Sequence, residues 1–399
     1  MDIQKKKKIG LVLSGGGIKA AAYHIGVCLA LKEKGFVFAG GPKSWVAHEY
    51  PEDRDKVIRL YVGSSAGSFV ASVLAAGYDV ESLINAFQVG SGNRPKFDAK
   101  NIKSMKPISY RHIFALNGKG FFSLSPTVLL RKHLVRGGME AFVKNGFKMN
   151  GLFSTKGLEN YLRRYVFLEN DFASLGPELY VTATQLNHSR KALFGPFRES
   201  SKTSKIKFIN YARISEAVAC SIALPPVFAP YGVENEEGKE IFYYDGEIRD
   251  TLSAHVAVDQ GCDLIISSYS TQPYHFTPEM GSLHKYGIPM IINQALYQVI
   301  QQKVDRYKDA NSGIRQIYKS IDTFCRDKKM PESDREAILT IIKKQLNFRP
   351  EADFIYIHPR AQNYEMFFMD HFSLNPTILE KIVGFGFKSG LTTLKQYGL

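Results

Sequence analysis

A serine set between two glycines is the residue of this chain whose surroundings point most directly to chemistry. The motif is Gly63-Ser64-Ser65-Ala66-Gly67, in which Ser65 has a glycine at the second position on either side. Glycines at these positions let the chain turn sharply without a Cβ clash, so the Ser65 hydroxyl is expected to stand clear of the turn. Ser64 is the rival hydroxyl, but only Ser65 lies midway between the glycines. We predict that Ser65 is a nucleophile.

A strand and a helix must position this serine, and the sequence on either side of the motif has both patterns. Residues 56–62 form an apolar run rich in β-branched and aromatic side chains, and residues 66–77 are mostly small and helix-like. This pattern predicts a strand, a tight turn and a helix. The serine would then lie at the positive end of the helix.

A second glycine turn, Gly15-Gly16-Gly17, follows the apolar run 9–13 and precedes another helix-like segment. Free amides at a helix N-terminus bind an anion, which here would be either a phosphate or the oxyanion of an attacked ester. The dinucleotide pattern also needs an acid about twenty residues further on. The matching region, 36–41, has none. We therefore favour an oxyanion hole, since both turns then serve one reaction.

A serine nucleophile needs a base, and two residues are candidates from the sequence. Asp245 follows the apolar stretch 242–244 and precedes Gly246, which places it in a turn directly after a strand. None of the ten histidines lies in a convincing strand-end turn, and His24 lies inside the first helix, where a packing role is expected. We retain His255 because it follows Asp245 closely in the chain. A strand-end aspartate also occurs in simple β-turns. Both pairs, Ser-Asp and Ser-His, stay open on this evidence.

The remaining chain alternates strand and helix patterns, which predicts an α/β fold with a mainly parallel sheet covered by helices on both faces. Residues 38–55 are predicted to be irregular. One domain over 1–399 is expected, with its core at about 8–270 and 351–399 and insertions at about 90–150 and 289–345. Other predicted elements are helices at 19–34, 158–166, 214–221 and 378–395, and strands at 179–185, 264–269 and 354–357.

The charge of the chain favours an anionic partner. The net charge is +14, and no nucleic-acid-binding motif accompanies it, so a lipid surface is favoured over nucleic acid. Residues 90–150 interleave basic and aromatic side chains. This composition fits either a cap over the site that meets lipid headgroups or a solvated helical insertion.

Other features limit the location and the cofactors. The sequence has no uninterrupted apolar span of about twenty residues, so no transmembrane helix is predicted. Residues 5–13 imitate the start of a secretory signal, but the glycine turn interrupts the apolar run, so no signal peptide is expected. The scattered cysteines give no zinc pattern and favour reduced thiols in the cytoplasm. They are Cys28, Cys220, Cys262 and Cys325.

Four motifs, taken in order, resemble the patatin-like phospholipase family. They are 15–19 (GGGIK), 63–71 (GSSAGSFVA), 219–230 (ACSIALPPVFAP) and 245–246 (DG). The resemblance covers about 8–270 and is weaker over 375–394. It implies a three-layer α/β/α sandwich, an acyl channel shaped in part by residues 224–226, and no metal or organic cofactor.

The resemblance also implies roles for individual residues. A Ser-Asp dyad replaces the usual triad, with Ser65 as the nucleophile and Asp245 as its base. The amides of Gly15, Gly16 and Gly17 would form the oxyanion hole.

Two positions depart from the family pattern. Glu247 stands where the family usually has Gly or Ala after its Asp-Gly pair. This carboxylate would either raise the pKa of Asp245 or point to solvent. Ala20 replaces a glycine that often ends the first motif, a mild change inside a helix.

These observations predict a lipid acyl-ester hydrolase of the phospholipase A or lysophospholipase type, peripherally associated with an anionic membrane. The alternatives are a lipid-binding scaffold with a vestigial site, an acyltransferase and a non-specific carboxylesterase. Headgroup, acyl position, oligomeric state and activating partners are not predicted.

Overall fold

A computed structural model describes residues 6–51, 54–88, 104–117, 150–360 and 363–399. The strands in these ranges are β1 (Ile9–Leu13), β2 (Val37–Phe38), β3 (Val57–Ser64), β4 (Ala115–Leu116), β5 (Phe153–Ser154), β6 (Glu178–Gln185), β7 (Lys191–Phe194), β8 (Ser201–Lys202), β9 (Ile206–Ile209), β10 (Tyr231–Glu234), β11 (Glu240–Asp245), β12 (Leu264–Ser268) and β13 (Asp353–Ile357).

The helices in the same ranges are α1 (Gly17–Glu33), α2 (Lys43–Glu49), α3 (Ala66–Ala75), α4 (Val80–Ala86), α5 (Tyr110–Ile113), α6 (Lys156–Tyr165), α7 (Ile214–Ile222), α8 (Ala254–Asp259), α9 (Ile288–Asp327), α10 (Glu332–Gln345), α11 (Tyr364–Phe368) and α12 (Pro376–Gln396). Short 3₁₀ turns occupy Phe172–Ser174, Gly246–Ile248 and Leu283–Tyr286.

The main sheet has the strand order β13-β12-β1-β3-β6-β7-β9-β8. Its first five strands are parallel to one another, and β7 is antiparallel to β6. Strand β11 also pairs with β6, in the antiparallel sense, and carries β10 on its other edge. Parallel strands end at a common edge of the sheet, so the turns that follow β1 and β3 are neighbours.

Helices cover both faces of the sheet, and the alternation of side chains along β1 shows this directly. Ile9, Leu11 and Leu13 pack into a core that includes residues of α1, α3 and α12. Val12 points the opposite way, into a second core with residues of α8 and α9. The predicted three-layer α/β/α arrangement is therefore confirmed.

Close contact between two helices fixes the position of α1 behind the first glycine turn. A Cβ added at Gly26 would lie 2.0 Å from the carbonyl oxygen of Val383, and one added at Gly386 would lie 2.1 Å from that of Tyr23. Only glycines allow α1 and α12 to approach so closely. The closing segment of the chain is thus packed against the helix that begins at Gly17.

Most predicted elements are confirmed, with bounds that differ by one or two residues. The strand, turn and helix predicted at 56–77 are β3, the turn at Ser65 and α3. The prediction that 38–55 is irregular is wrong, because α2 lies there. Pro42, with its φ near the helical value, precedes the first turn of α2 and lets the helix start.

Other predictions concern parts that the structure covers incompletely or does not test. The insertion at 90–150 lies outside the described residues except for 104–117 and 150. The division into one core with two insertions stays a prediction. No helix among the described residues is long and apolar enough to cross a membrane. All four cysteines are buried as free thiols.

Candidate active site

Strand β6 brings the two predicted reacting residues together. Ser64, at the end of β3, lies opposite Thr182 of β6, and Asp245, at the end of β11, lies opposite the next residue, Ala183. The two strands run toward each other along the same edge of β6, because one is parallel to it and the other antiparallel. Their ends, and with them Ser65 and Asp245, therefore meet.

Ser65 occupies a strained turn between β3 and α3. Its backbone has φ 49° and ψ −126°, a conformation that side-chain-bearing residues rarely adopt. The flanking glycines have a different function, which is to leave space. A Cβ at Gly63 would lie 2.3 Å from the Cα of Ser68, and one at Gly67 would lie 2.2 Å from the carbonyl oxygen of Leu13. The strain therefore lies on the serine itself.

The Ser65 hydroxyl donates a hydrogen bond of 2.6 Å to Oδ2 of Asp245. The other carboxylate oxygen, Oδ1, accepts from the backbone amide of Glu247 at 2.8 Å, and the Thr184 hydroxyl donates to the Asp245 carbonyl at 2.9 Å. Asp245 is only 1% exposed. Burial raises its pKa to about 6, although the hydrogen bonds from Ser65 and Glu247 oppose this shift. The carboxylate is thus held rigidly, with a pKa suited to proton transfer near neutrality.

Ser221 supports the strained turn from α7. Its hydroxyl accepts a hydrogen bond from the Ser65 amide at 2.7 Å and donates one to the Thr182 carbonyl at 2.6 Å. Sequence reasoning placed Ser221 in a family motif but assigned it no role. No local pattern could show this role, because its partners lie on two other elements.

The first glycine turn lies directly against Ser65. Gly16 and Gly17 have positive φ values, 131° and 72°, which a glycine adopts without strain. A Cβ added at Gly15 would lie 2.6 Å from the Cβ of Ser65. The amides of Gly16 and Gly17 have no hydrogen-bond acceptor among the described residues. They are available at the N-terminus of α1, beside the serine.

Glu247 also lies in this site. It binds the amide of Gly15, the remaining one of the three glycine amides predicted to form the oxyanion hole. Its Oε1 accepts a hydrogen bond of 2.7 Å from the Gly15 amide. Burial and, after it, the charges of Asp245 and Asp250 together raise the pKa of Glu247 to about 7, although the hydrogen bonds from Gly15 and Ser64 oppose this shift. The sequence left two alternatives for this carboxylate, raising the pKa of Asp245 or pointing to solvent. The structure shows neither, because Glu247 turns inward to Gly15 and the pKa of Asp245 is raised by its own burial.

The histidines considered as bases have other partners. His255 contacts Lys191 and lies 3.6 Å from the carboxylate of Asp250. His24 is fully buried within α1; its Nε2 lies 2.8 Å from the Ser14 carbonyl, and its Nδ1 lies 2.8 Å from the Ser268 hydroxyl. Burial lowers the pKa of His24 to about 4, so it is neutral. The carboxylate bonded to Ser65 is Asp245.

A polar cluster supports the glycine turn from the side of the C-terminal half. Lys19, fully buried, donates hydrogen bonds to the Tyr297 hydroxyl at 2.7 Å and to the Met366 carbonyl at 3.0 Å. The Lys19 amide donates to the His371 carbonyl at 3.2 Å, and Nδ1 of His371 lies 3.4 Å from the Gly16 carbonyl. Burial lowers the pKa of Lys19 to about 7. The turn is therefore fixed by residues of α9 and of the segment before α12.

An apolar cavity with an open mouth adjoins Ser65. Leu224, from the segment that the resemblance assigned to the acyl channel, is on its wall, and Ile108 and Ile113 belong to the described part of the predicted insertion. A lining of this kind accommodates a hydrocarbon chain. The hydrophobic side chains on its wall are Ile18, Ala21, Ala66, Phe69, Phe87, Ile108, Ile113, Leu158, Ile222, Leu224, Phe228 and Phe372.

The fold and the turn define the general class: an α/β/α protein with a serine on a sharp strand-to-helix turn, next to a buried carboxylate and an amide-rich helix N-terminus. A family model for the patatin-like phospholipase matches residues 11–258. This match spans more than half of the chain, and the chain belongs to this family, whose members are in general lipid acyl hydrolases. No curated protein matches the chain.

Proposed function

We propose that this protein hydrolyses the acyl ester of a membrane phospholipid or lysophospholipid with a Ser65–Asp245 dyad. The 2.6 Å hydrogen bond from the Ser65 hydroxyl to Asp245, beside an apolar cavity, is the observation that carries the proposal. The net charge of +14 supports a substrate presented at an anionic membrane surface.

In the first half of the reaction Ser65 Oγ attacks the ester carbonyl carbon while Asp245 takes its proton. The negative oxygen of the tetrahedral intermediate faces the amides of Gly16 and Gly17, which stabilise it. Collapse of the intermediate breaks the ester bond, and Asp245 gives the proton to the leaving alcohol. Water, deprotonated by Asp245, then attacks the acyl-enzyme, and the fatty acid leaves as Ser65 regains its proton.

Glu247 sets a pH limit on this chemistry. An ionised carboxylate at the Gly15 amide withholds the third oxyanion-hole donor and repels the negative oxygen that develops beside it. A protonated Glu247 lacks this repulsion. Since its pKa is raised to about 7, the unfavourable form predominates at higher pH.

We therefore expect a bell-shaped pH profile of kcat/KM with its maximum between the pKa of Asp245, about 6, and that of Glu247, about 7. Activity rises as Asp245 ionises and falls as Glu247 ionises. Glu247→Gln keeps the shape and an acceptor for the Gly15 amide but removes the charge. It should abolish the falling limb and give about tenfold more activity than wild type one pH unit above the Glu247 pKa.

Glu240→Gln is the matched control for this measurement. It removes a carboxylate from the exposed end of β11, the strand that carries Asp245, and should leave both limbs in place. A falling limb that persists unchanged in Glu247→Gln would show that the charge of Glu247 does not oppose the reaction.

The function is tested by incubating the protein with vesicles of ester-linked phosphatidylcholine and measuring the products by mass spectrometry. We expect fatty acid and lysophospholipid, together with a fluorophosphonate adduct that maps to Ser65. Intact lipid and an unlabelled protein would overturn the proposal and favour a lipid-binding scaffold. Acyl transfer to an added alcohol without release of fatty acid would instead identify an acyltransferase.

A further inference from the structure

The inward side of the first half of α9 carries polar side chains among apolar ones. Two of its polar side chains face the protein: the amide of Gln294 makes two hydrogen bonds to the backbone of Tyr274, at 2.8 and 2.9 Å, and Oδ1 of Asn293 lies 3.2 Å from Nε2 of His371. Tyr297, which bonds Lys19, is 3% exposed. The Tyr297 ring packs in an apolar cluster on the same side, as in an ordinary surface helix.

The opposite side of the same stretch is apolar and exposed. We call this side the outer face; its members recur with helical spacing, so they form one stripe. They are Ile288 (72% exposed), Ile291 (48%), Ile292 (54%), Leu296 (57%) and Val299 (52%). A continuous exposed apolar stripe marks an interaction surface.

The charges around the outer face match a lipid headgroup layer. Residues 286–302 contain no charged side chain, and the nearest ones along the chain are Lys285 and Lys303. Lys285 is exposed, whereas the Lys303 ammonium group donates to the Ile248 carbonyl at 3.0 Å. An exposed lysine at the end of an apolar stripe can reach anionic headgroups while the stripe enters the acyl region. A second copy of this chain fits the face less well, because two chains of net charge +14 repel each other.

The outer face is also linked to the candidate active site. The inward side of α9 meets His371 through Asn293, and His371 in turn lies 3.4 Å from the Gly16 carbonyl. Phe372, the next residue, is on the wall of the apolar cavity. One imidazole and the diameter of one helix, roughly 10–12 Å, therefore separate the glycine turn from the outer face.

We propose that the outer face of α9 inserts into the headgroup–acyl boundary of an anionic lipid bilayer. The insertion brings the glycine turn and the mouth of the apolar cavity close to the lipids. This last step rests on the proposed function, whereas the insertion of α9 stands on the exposed stripe and the flanking charges.

The test measures partition onto vesicles of ether-linked phosphatidylcholine and phosphatidylserine, which have no ester to hydrolyse. The variant Ile292→Glu/Leu296→Glu places two charges on the outer face and should lower the partition coefficient by about tenfold or more. The control Ile317→Glu/Phe324→Glu adds the same charge to exposed apolar positions (52% and 57%) on the second half of the helix. It should change partition by less than about twofold.

Several results would overturn the proposal. These are absence of vesicle binding by the wild-type protein, equal losses in the two double variants, or unchanged partition of Ile292→Glu/Leu296→Glu. Light scattering could show that the wild type is a dimer and that Ile292→Glu/Leu296→Glu is a monomer that still binds vesicles. This result would assign the outer face to a second copy of the chain. Should the double variant be unfolded in a thermal melt, Ile288→Glu at the most exposed position repeats the measurement.

The same variants separate this proposal from the proposed function. We expect Ile292→Glu/Leu296→Glu to hydrolyse a water-soluble monomeric ester at the wild-type rate and ester-linked vesicles more slowly. The double variant could lose vesicle partition while the wild-type protein hydrolyses neither substrate. That result would support the insertion of α9 and overturn the proposed hydrolase function.

Discussion

Replacing Ser65 by alanine is expected to lower ester hydrolysis by about 10⁴-fold or more, because the attacking oxygen is removed and no other group replaces it. The substitution deletes one hydroxyl and leaves the Ser65 amide bonded to Ser221. The protein should therefore melt within a few degrees of the wild type. The measurement is release of fatty acid from phospholipid vesicles, together with labelling by a fluorophosphonate.

Ser64→Ala is the control, since it removes the adjacent hydroxyl and leaves the Ser65–Asp245 hydrogen bond in place. This variant should keep its activity and its label. If Ser64→Ala were inactive and Ser65→Ala active, the nucleophile would be Ser64. The strained backbone of Ser65 would then have no catalytic role.

Asp245→Asn is expected to lower kcat by about 10³-fold or more while KM changes little, because the variant keeps the shape of the side chain but has no base. An asparagine oxygen can still accept a hydrogen bond from the Glu247 amide, as Oδ1 of Asp245 does. The turn should therefore persist. The rising limb of the pH profile near pH 6 should disappear together with the residual activity that depends on the ionised carboxylate.

His255→Asn is the matched comparison, since it removes the histidine that the sequence left as the rival base. His255 contacts Lys191 and Asp250, so its loss should affect stability more than turnover. A large loss of kcat in His255→Asn with near-normal activity in Asp245→Asn would contradict the dyad. A drop in melting temperature with unchanged kcat would support it.

The local parts of the site could be predicted from the sequence because short-range rules govern them. Apolar runs followed by glycine-rich motifs predicted the turns after β1 and β3, and both turns are present. The aspartate at the end of β11 was also foreseen as a turn residue. What the local pattern left open was the choice between Asp245 and His255, and only the resemblance to a family favoured the aspartate.

The contacts between distant residues could not be predicted in this way. Ser65 and Asp245 are 180 positions apart in the chain, and their meeting depends on two strands that share one edge of β6. The place of Glu247 in the same site depends on that meeting as well. No rule based on neighbouring residues carries this information, since each contact is set by strand order and register.

The two faces of the first half of α9 show the same difference between local prediction and tertiary contacts. Residues 289–345 were predicted to be helical, and they are, in α9 and α10. Periodicity alone would have buried Ile292 and Leu296 and exposed Gln294. In the structure Ile292 and Leu296 are exposed, while the amide of Gln294 bonds the Tyr274 backbone and the hydroxyl of Tyr297 accepts from Lys19.

The sequence by itself therefore determined the fold class, the family, the serine on its turn and the positive charge of the chain, because these depend on residue type, short spacing and composition. The tertiary structure alone showed that the Asp245 carboxylate reaches the Ser65 hydroxyl, that Glu247 holds the Gly15 amide, and which side of α9 faces solvent. These features depend on packing between segments that are far apart in the chain, where the free energy of burial and of hydrogen bonding selects one arrangement from many that the local sequence permits.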